Sequence, residues 1–304
     1  MYDLIIIGAG PAGMSAAVYA SRSGLNTLIL DGGAPGGKLN LTAEIENYPG
    51  KQIVAGPELA YEMFEHATHF GAVYEYGMVK EIKDLGEHKE VITEENTYET
   101  KAVLIATGTK ERKIGIPNEE EMTGRGVSYC AVCDGAFFGG EEVAVIGGGN
   151  SALEEAMYLT KFASKVHLIV RRDVFRADKI VQDKLKENDK IEIHYLKKPV
   201  EIEVDQENNK VSGLVLEDSQ TKERSTLKVT GIFPFVGADP VTEFAKGLDI
   251  LDERGYVITN EDMATHCPGI YAAGDVRKKF LRQVVTATND GAIAAQAINR
   301  DMFE

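Results

Sequence analysis

The chain opens on a short apolar run and a glycine turn, LIIIGAGPAG at residues 4–13. The apolar run predicts a buried strand, and the alanine-rich stretch at 14–23 predicts a helix. A second strand, TLIL at 27–30, ends at Asp31. This order of strand, glycine turn, helix, strand and acid is typical of a Rossmann-like dinucleotide-binding fold.

The turn has the residues that a bound dinucleotide needs. Glycine lets the backbone approach a pyrophosphate, and the start of the helix offers N–H donors and positive potential. An acid at the end of the second strand can accept hydrogen bonds from a ribose. We therefore expect nucleotide contacts from Gly8, Gly10, Pro11, Ala12, Gly13 and Asp31. A tight turn that binds no ligand is the alternative.

The same pattern returns about one domain later, as VAVIGGGNSA at 143–152. Each unit closes on an apolar strand that ends in glycine, AVLIATG at 102–108 and GIFPFVG at 231–237. Stretches of alternating polarity at 79–95 and 191–216 predict a β-meander in each unit. The chain therefore contains an internal repeat.

The tail adds a strand that delivers an acid, GIYAAGD at 269–275, and a predicted helix at 287–299. We expect this tail to complete the first domain. The predicted fold is α/β, with two Rossmann-like three-layer dinucleotide-binding domains, the second inserted in the first, each with a β-meander. The first domain would comprise residues 1–113 and 243–304, and the second residues 114–242.

Charge and hydropathy exclude some classes of function. The net charge is −15, and a surface of that sign repels nucleic acid and anionic membrane. The opening apolar run is too short for a signal peptide or a membrane-spanning helix. We expect a cytoplasmic protein that binds neither nucleic acid nor membrane.

The second unit differs from the first at the position that is expected to contact the ribose. Alanine takes the third glycine's place, a recognised variant, so Gly147, Gly149 and Ala152 form the expected contacts. Basic residues stand where the first unit has an acid, namely Arg171, Arg172 and Arg176. Guanidinium groups bind a 2′-phosphate that an acid would repel, which favours NADPH over NADH. A solvated basic patch is the alternative.

Cysteine usage points to redox chemistry. The chain has three cysteines, two of them in CAVCD at 130–134, and thiols at this spacing form a disulfide that exchanges readily. Asp134 could transfer a proton to or from a thiolate. A zinc site at the pair would need two further ligands, and His266 and Cys267 are not at a ligand spacing, so we expect no metal there. Cys267 is expected to be a small buried residue.

The sequence resembles the bacterial low-molecular-weight thioredoxin reductases almost from end to end. The similarity includes GAGPAG at 8–13, PGGK at 35–38, ENYPG at 46–50 and ATG at 106–108. It continues through the cysteine motif, GGGNSA at 147–152, RRDVFRADK at 171–179, AAGDV at 272–276 and RQVVTA at 282–287. The cysteine pair placed just before the second glycine turn is the specific part.

The resemblance implies FAD on the first domain, NADPH on the second, a homodimer, and thioredoxin as the acceptor of electrons. It implies that Cys133 lies nearest the flavin, that Cys130 attacks the thioredoxin disulfide and that Asp134 is the acid. A rotation between domains is implied as well. The further cofactor contacts that it implies are Gly32, Gly36, Gly37, Lys38, Asn47, Ala106, Thr107, Gly108, Asn150, Ser151, Gly274, Asp275, Arg282, Gln283 and Val284.

The sequence departs from the family pattern at a few positions. Lys38 replaces a glutamine beside the flavin, and Val170 replaces a histidine before the two arginines. Thr288 and Asn289 replace an Ala-Gly pair, and glycines at 139–140 follow the two phenylalanines where a basic residue is frequent. Alternatives to an NADPH-dependent thioredoxin reductase are a dithiol flavoenzyme fed by reduced ferredoxin, one with another protein disulfide as acceptor, and a redox-sensing flavoprotein.

Overall fold

The protein is described here from a computed structural model, which covers residues 1–303 and their side chains through Asp301. Contacts divide the chain into two compact units. Unit 1 combines Met1–Lys110 with the residues from Asp239 onward, and unit 2 is Glu111–Ala238. Unit 2 is therefore inserted in the chain of unit 1.

Unit 1 is built on a seven-stranded sheet with two short strands beside it. Its strands are β1 (Tyr2–Ile7), β2 (Thr27–Asp31), β3 (Glu44–Ile45), β4 (Val54–Ala55), β5 (Val73–Tyr76), β6 (Val79–Asp84), β7 (Lys89–Thr93) and β8 (Thr97–Ile105). Two short strands lie where the chain passes from one unit to the other, β9 (Thr109–Glu111) and β17 (Ala238–Pro240). The last strand is β18 (Ile270–Ala272). The helices of unit 1 are α1 (Pro11–Arg22), α2 (Gly56–His69) and α6 (Val284–Phe303).

The large sheet has the order β5-β2-β1-β8-β7-β6, and β18 also pairs with β8. Strands β5, β2, β1, β8 and β18 are parallel, whereas β6, β7 and β8 form an antiparallel meander. The apolar run of β1 is buried on both faces, as parallel sheets require. Leu4 and Ile6 pack with α1 and α6, while Ile5 and Ile7 pack with the meander.

Unit 2 repeats this architecture on a smaller scale. Its strands are β10 (Glu142–Ile146), β11 (Lys165–Val170), β12 (Ile191–Tyr195), β13 (Lys197–Asp205), β14 (Lys210–Asp218), β15 (Arg224–Leu227) and β16 (Gly231–Pro234). Its helices are α3 (Ala131–Asp134), α4 (Asn150–Leu159) and α5 (Lys179–Lys186). Its parallel sheet has the order β12-β11-β10-β16, and β13-β14-β15 form an antiparallel meander. One apolar cluster joins the sheet to the three helices, and a second joins it to the meander.

The predicted α/β class with two Rossmann-like units is confirmed. One detail differs, since β12 belongs to the parallel sheet and the second meander begins only at Lys197. Apolar and polar residues alternate in β12 because it is an edge strand with one exposed side. Strands of a meander show the same alternation, so the sequence does not distinguish the two. Among residues 1–303, no helix is long and apolar enough to cross a membrane.

Candidate functional site

The first glycine turn joins β1 to α1 through backbone that only glycine allows. Gly8 has φ +110°, and a Cβ there would lie 2.4 Å from the carbonyl oxygen of Ala106. Gly10 is the N-cap of α1, and a Cβ there would meet nothing within 4 Å. The turn is thus closed toward the protein at Gly8 and open toward solvent at Gly10. That open space beside a helix N-terminus suits a phosphate group.

Asp31 holds the loop after β2 against this turn. Its Oδ2 accepts a hydrogen bond of 2.6 Å from the backbone N–H of Ala9, and its Oδ1 accepts one of 2.8 Å from Gly33. Burial raises the pKa of Asp31, and the two backbone donors act in the opposite direction. Gly36 also donates its N–H to the carbonyl of Ala9, at 2.8 Å. Asp31 and Gly36 therefore both bind the backbone of the turn at Ala9.

Two further segments of unit 1 reach each other over a long sequence distance. The Asn47 side chain donates a 3.1 Å hydrogen bond to Oε1 of Gln283, just before α6. Arg282 donates from Nε to the carbonyl of Asp275, at 3.2 Å, and its guanidinium lies 4.3 Å from the ring centre of Tyr256. The structure thus brings Asn47 and Gln283 together.

Asp275 in unit 1 has a buried carboxylate oxygen, Oδ1, that no side chain or backbone group of the described residues satisfies. Burial raises the pKa of this carboxyl, although Lys38, Lys279 and Arg282 lower it in part. A buried acceptor without a donor is costly in a folded protein unless a ligand supplies the donor. A hydroxyl of a bound cofactor would satisfy it.

Asp290, which sequence reasoning missed, fixes the backbone at that position. It is 4% exposed, and its Oδ2 accepts from the N–H of Gly274 at 3.0 Å. The same oxygen lies 2.9 Å from Arg277 and 2.7 Å from Lys279. The signal in the sequence was an acid within the small and apolar residues of α6. Asp290 therefore orients the turn that carries Asp275.

The loop after β8 completes the edge of the first turn. Ala106 donates its N–H to the carbonyl of Ile7 at 2.8 Å, and Gly108 has φ +64°. The Thr107 hydroxyl donates to the carbonyl of Val241 at 2.6 Å. Ala106 therefore lies directly beside Gly8, whereas Thr107 anchors the return of the chain into unit 1.

The second turn, between β10 and α4, has the same stereochemistry. A Cβ at Gly147 would lie 2.5 Å from the carbonyl oxygen of Phe235, and one at Gly149, the N-cap of α4, would meet nothing within 4 Å. Asn150 fixes the helix start, because its side chain donates to Asp178 and accepts from the Asp178 N–H, both at 2.7 Å. Ser151 is exposed and Ala152 is buried.

The three arginines stand beside this second turn. Arg171, Arg172 and Arg176 are exposed, and none has an ion pair with any residue within 1–301. The N–H of Arg176 donates to the carbonyl of Gly148 at 2.7 Å, which ties the basic loop to the turn. In a chain of net charge −15, three unpaired guanidiniums at one place are available to an anion. Val170 is buried and does not share that surface.

Cys130 and Cys133 form a disulfide in unit 2, with their Cα atoms 5.3 Å apart. Cys130 is half-buried and caps the short helix α3, whereas Cys133 is exposed. Asp134 follows directly, and its N–H donates to the carbonyl of Cys130 at 3.2 Å. Phe137, four residues beyond Cys133, is 81% exposed. Cys133 and Phe137 therefore both lie at the surface of unit 2.

Cys267 is a free cysteine of intermediate exposure, less buried than expected. It lies in unit 1, where its thiol donates to the carbonyl of Leu248 at 3.3 Å. Burial raises the pKa of this thiol, and the nearby carboxylates of Asp84 and Asp249 raise it further. Thiolate formation, which redox chemistry requires, is therefore suppressed at Cys267.

Comparison with known proteins agrees with this site. Residues 2–291 match the family described as "Pyridine nucleotide-disulphide oxidoreductase". The chain is 51% identical to the thioredoxin reductase of Bacillus subtilis, over 100% of this chain and 96% of that protein.

Solved structures give the same picture. The crystal structure of Lactococcus lactis thioredoxin reductase is 49% identical, covers 99% of this chain and 98% of its own, and superposes with a TM-score of 0.97. A ferredoxin-flavin thioredoxin reductase from Clostridium acetobutylicum is 32% identical, covers 98% and 97%, and gives 0.53. The resemblance found in the sequence is confirmed.

Proposed function

Since the chain belongs to the pyridine nucleotide-disulphide oxidoreductase family, we propose that it is an NADPH-dependent thioredoxin reductase containing FAD. The observation that carries the proposal is the partly exposed Cys130–Cys133 disulfide, located in the unit that also contains the second dinucleotide turn. Relatives about half identical to the chain over its full length, which are themselves named thioredoxin reductases, support the same acceptor.

Unit 1 has the features that FAD would use. The open position at Gly10 faces the start of α1, Asp31 stands at the end of β2, and Asp275 has a buried oxygen without a donor. These residues fit a pyrophosphate, a ribose and a hydroxylated chain, respectively. FAD bound there would supply the two-electron chemistry between the nicotinamide and the disulfide.

Unit 2 has the features of a site for a phosphorylated dinucleotide. Gly149 leaves the start of α4 open, and the unpaired Arg171, Arg172 and Arg176 follow β11. A charged hydrogen bond contributes about 1.5–3 kcal/mol, against about 1 kcal/mol for a neutral one. Two or three arginines therefore outweigh the missing polar residue at Val170. We expect NADPH to be preferred over NADH by at least about tenfold in kcat/KM.

The dithiol would pass electrons by thiol–disulfide exchange. The Cys130 thiolate attacks one sulfur of the thioredoxin disulfide, and the other thioredoxin sulfur leaves as a thiolate that takes a proton. Cys133 then attacks Cys130, which releases the second thioredoxin thiol and closes the Cys130–Cys133 disulfide. Thioredoxin gains two electrons and two protons. Asp134 is positioned next to Cys133 in the chain to supply a proton.

The test is anaerobic addition of NADPH to the purified protein, followed by oxidised thioredoxin. NADPH should bleach the flavin absorbance, and thioredoxin should restore it. Bleaching by reduced ferredoxin but not by NADPH would replace the proposed donor by the one that the Clostridium acetobutylicum relative is named for. Bleaching without recovery would contradict thioredoxin as acceptor.

Two variants, each with a control, test the disulfide step and the choice of nucleotide separately. Cys133→Ser should abolish thioredoxin reduction while NADPH still bleaches the flavin, and Cys267→Ser, at a hydrogen-bonded thiol, is the control that should turn over normally. Arg172→Ala should weaken NADPH and spare NADH, whereas Arg224→Ala, at an exposed arginine of β15, should change neither. Equal use of both nucleotides by the unmodified protein would overturn the donor assignment.

We also propose a homodimer, on the resemblance alone. Light scattering of the purified chain should give twice its mass of 33.1 kDa. A monomer that still reduces thioredoxin would contradict the dimer without affecting the proposed activity.

A further inference from the structure

Two neighbouring strands of unit 2 bring two histidines and a glutamate to one place. His167 is opposite Glu192 in the register of β11 and β12, and His194 follows Glu192 by two residues on the same face. His167 Nδ1 lies 3.0 Å from His194 Nε2, which lies 3.4 Å from Oε1 of Glu192. One ligand atom of each residue lies within 4.8 Å of the others.

The hydrogen bonds around His167 decide which nitrogen faces the cluster. Its Nε2 lies 2.8 Å from Oε2 of Glu142 in β10, and a carboxylate can only accept there. In the neutral ring the hydrogen is therefore on Nε2, and the lone pair of Nδ1 points toward His194. A neutral imidazole held by a carboxylate at its far nitrogen is the usual arrangement of histidines that bind metal ions.

We propose that His167, Glu192 and His194 form a Zn²⁺ site at the edge of the unit 2 sheet. Ligands at about 2.0–2.1 Å from a tetrahedral zinc stand about 3.3 Å from one another. Two of the three separations, 3.0 and 3.4 Å, differ from that value by only a few tenths of an ångström. The third, from His167 Nδ1 to Oε2 of Glu192, is 3.9 Å, so the half-exposed Glu192 side chain would move slightly toward the ion. Two imidazoles and one carboxylate are ligands that zinc prefers, and water would take the fourth position.

The surroundings suit a bound cation. Glu142 adds a second negative charge behind His167, and Lys165 forms an ion pair with Oε2 of Glu192, which leaves Oε1 for the metal. His167 is 3% exposed, while the side chains of His194 and Glu192 are 20% and 46% exposed. Because β12 is the edge strand, an ion could enter from the solvent side.

Without metal, the His194 ring can donate from Nε2 to Nδ1 of His167, so the same geometry also serves an ordinary hydrogen bond. Metal binding requires His194 to have its hydrogen on Nδ1 instead. The two arrangements give different results in a binding experiment. Zinc would link β12 to β11, and through Glu142 to β10, so it should also slow the opening of this edge of the sheet.

No sequence pattern reveals this cluster. His167 and His194 are 27 residues apart, and only the parallel pairing of β11 with β12 brings them together. The spacing therefore resembles none of the short ligand motifs of zinc proteins.

The experiment uses the full chain with Cys130–Cys133 oxidised, because free thiolates are metal ligands and would compete for the added ion. The protein is treated with a chelator, dialysed against dilute Zn²⁺, and its metal content is measured by mass spectrometry. About one zinc per chain should be retained. Co²⁺ should give a visible spectrum typical of a tetrahedral nitrogen and oxygen site, without sulfur-to-cobalt charge transfer.

Variants decide between the metal site and the hydrogen bond. His194→Gln and Glu192→Gln should each lose the zinc, and Glu142→Gln should weaken its binding about 10- to 100-fold. His66→Gln, at an exposed histidine of α2, is the control and should bind as the unmodified chain does. Since Glu192 lies at an exposed edge, its variant should fold even if that of His194 does not. Zinc content that is negligible, or equal in all variants, would overturn the proposal.

Discussion

Glu155, in the middle of α4, is a buried acid whose titration should control the stability of unit 2. It is 9% exposed, and its Oε2 has no hydrogen-bond partner among the described residues. Burial raises its pKa to about 8, and the charges of Glu154 and Glu111 contribute in the same direction. Replacing it by glutamine keeps the shape and removes the possibility of ionisation.

The magnitude follows from the two states of the carboxyl. Below its ordinary pKa of 4.5 the carboxyl is neutral in both the folded and the unfolded chain, so its ionisation costs no free energy of unfolding. As the pH rises through 4.5 only the unfolded chain releases the proton, and the free energy of unfolding falls progressively until about pH 8. Each pKa unit corresponds to about 1.4 kcal/mol, so the full loss is about 5 kcal/mol. About 3 kcal/mol of it falls between about pH 6 and about pH 9.

The expected result is therefore a pH-dependent gain for Glu155→Gln. Its opening free energy relative to the unmodified chain should rise by about 3 kcal/mol from about pH 6 to about pH 9. Any hydrogen bond that the new amide lacks costs the same at both values and cancels. Hydrogen exchange of the α4 amides, measured by mass spectrometry and corrected for intrinsic rates, reports this region alone.

A matched control is Glu187→Gln, at an exposed glutamate that follows α5 in the same unit. It should leave the difference between the two pH values unchanged. If Glu155→Gln instead gains equally at both, Glu155 titrates like an ordinary glutamate and the argument from burial fails.

Three further outcomes follow from the site. Gly8→Ala should yield protein with little bound flavin, seen as a low ratio of flavin to protein absorbance, because a Cβ would lie 2.4 Å from a carbonyl oxygen; a normal ratio would show that the turn can relax. Asp290→Asn should weaken FAD binding at least about tenfold in a fluorescence titration, because the loss of charge unbalances two cations and the turn at Gly274; unchanged affinity would refute the positioning role. Asn150→Ala should raise the KM for NADPH with little change in kcat, since two 2.7 Å bonds to Asp178 are lost; a fall in kcat alone would contradict it.

The sequence predicted those parts of the molecule that depend on local backbone requirements. The turns around Gly8 and Gly147 need glycine for reasons that act within a few residues, so their motifs can be recognised in one chain. Helix α1 begins at Pro11, earlier than the predicted residue 14, because its first turn is made by the glycine motif itself.

Other features depend on strands and helices that are distant in sequence, and no local pattern predicted them. Asp290 matters because α6 returns to the turn after β18, and Glu155 because α4 is covered on several sides. The cluster of His167 and His194 exists only through strand pairing. Each of these residues looks like an ordinary polar residue until tertiary contacts are known.

The two glycine turns have similar backbone conformations. They differ in the residues at the end of the next strand, which are Asp31 in one unit and Arg171 with Arg172 in the other. In the proposed function, holding the pyrophosphate and selecting the ribose would thus be separate tasks of separate segments of the chain. A duplicated unit could therefore acquire a new nucleotide preference by changes at one strand end, without disturbing the turn that makes binding possible. For engineering, the loop after β11 is the place to change the coenzyme, and the turn before α4 is the place to leave alone.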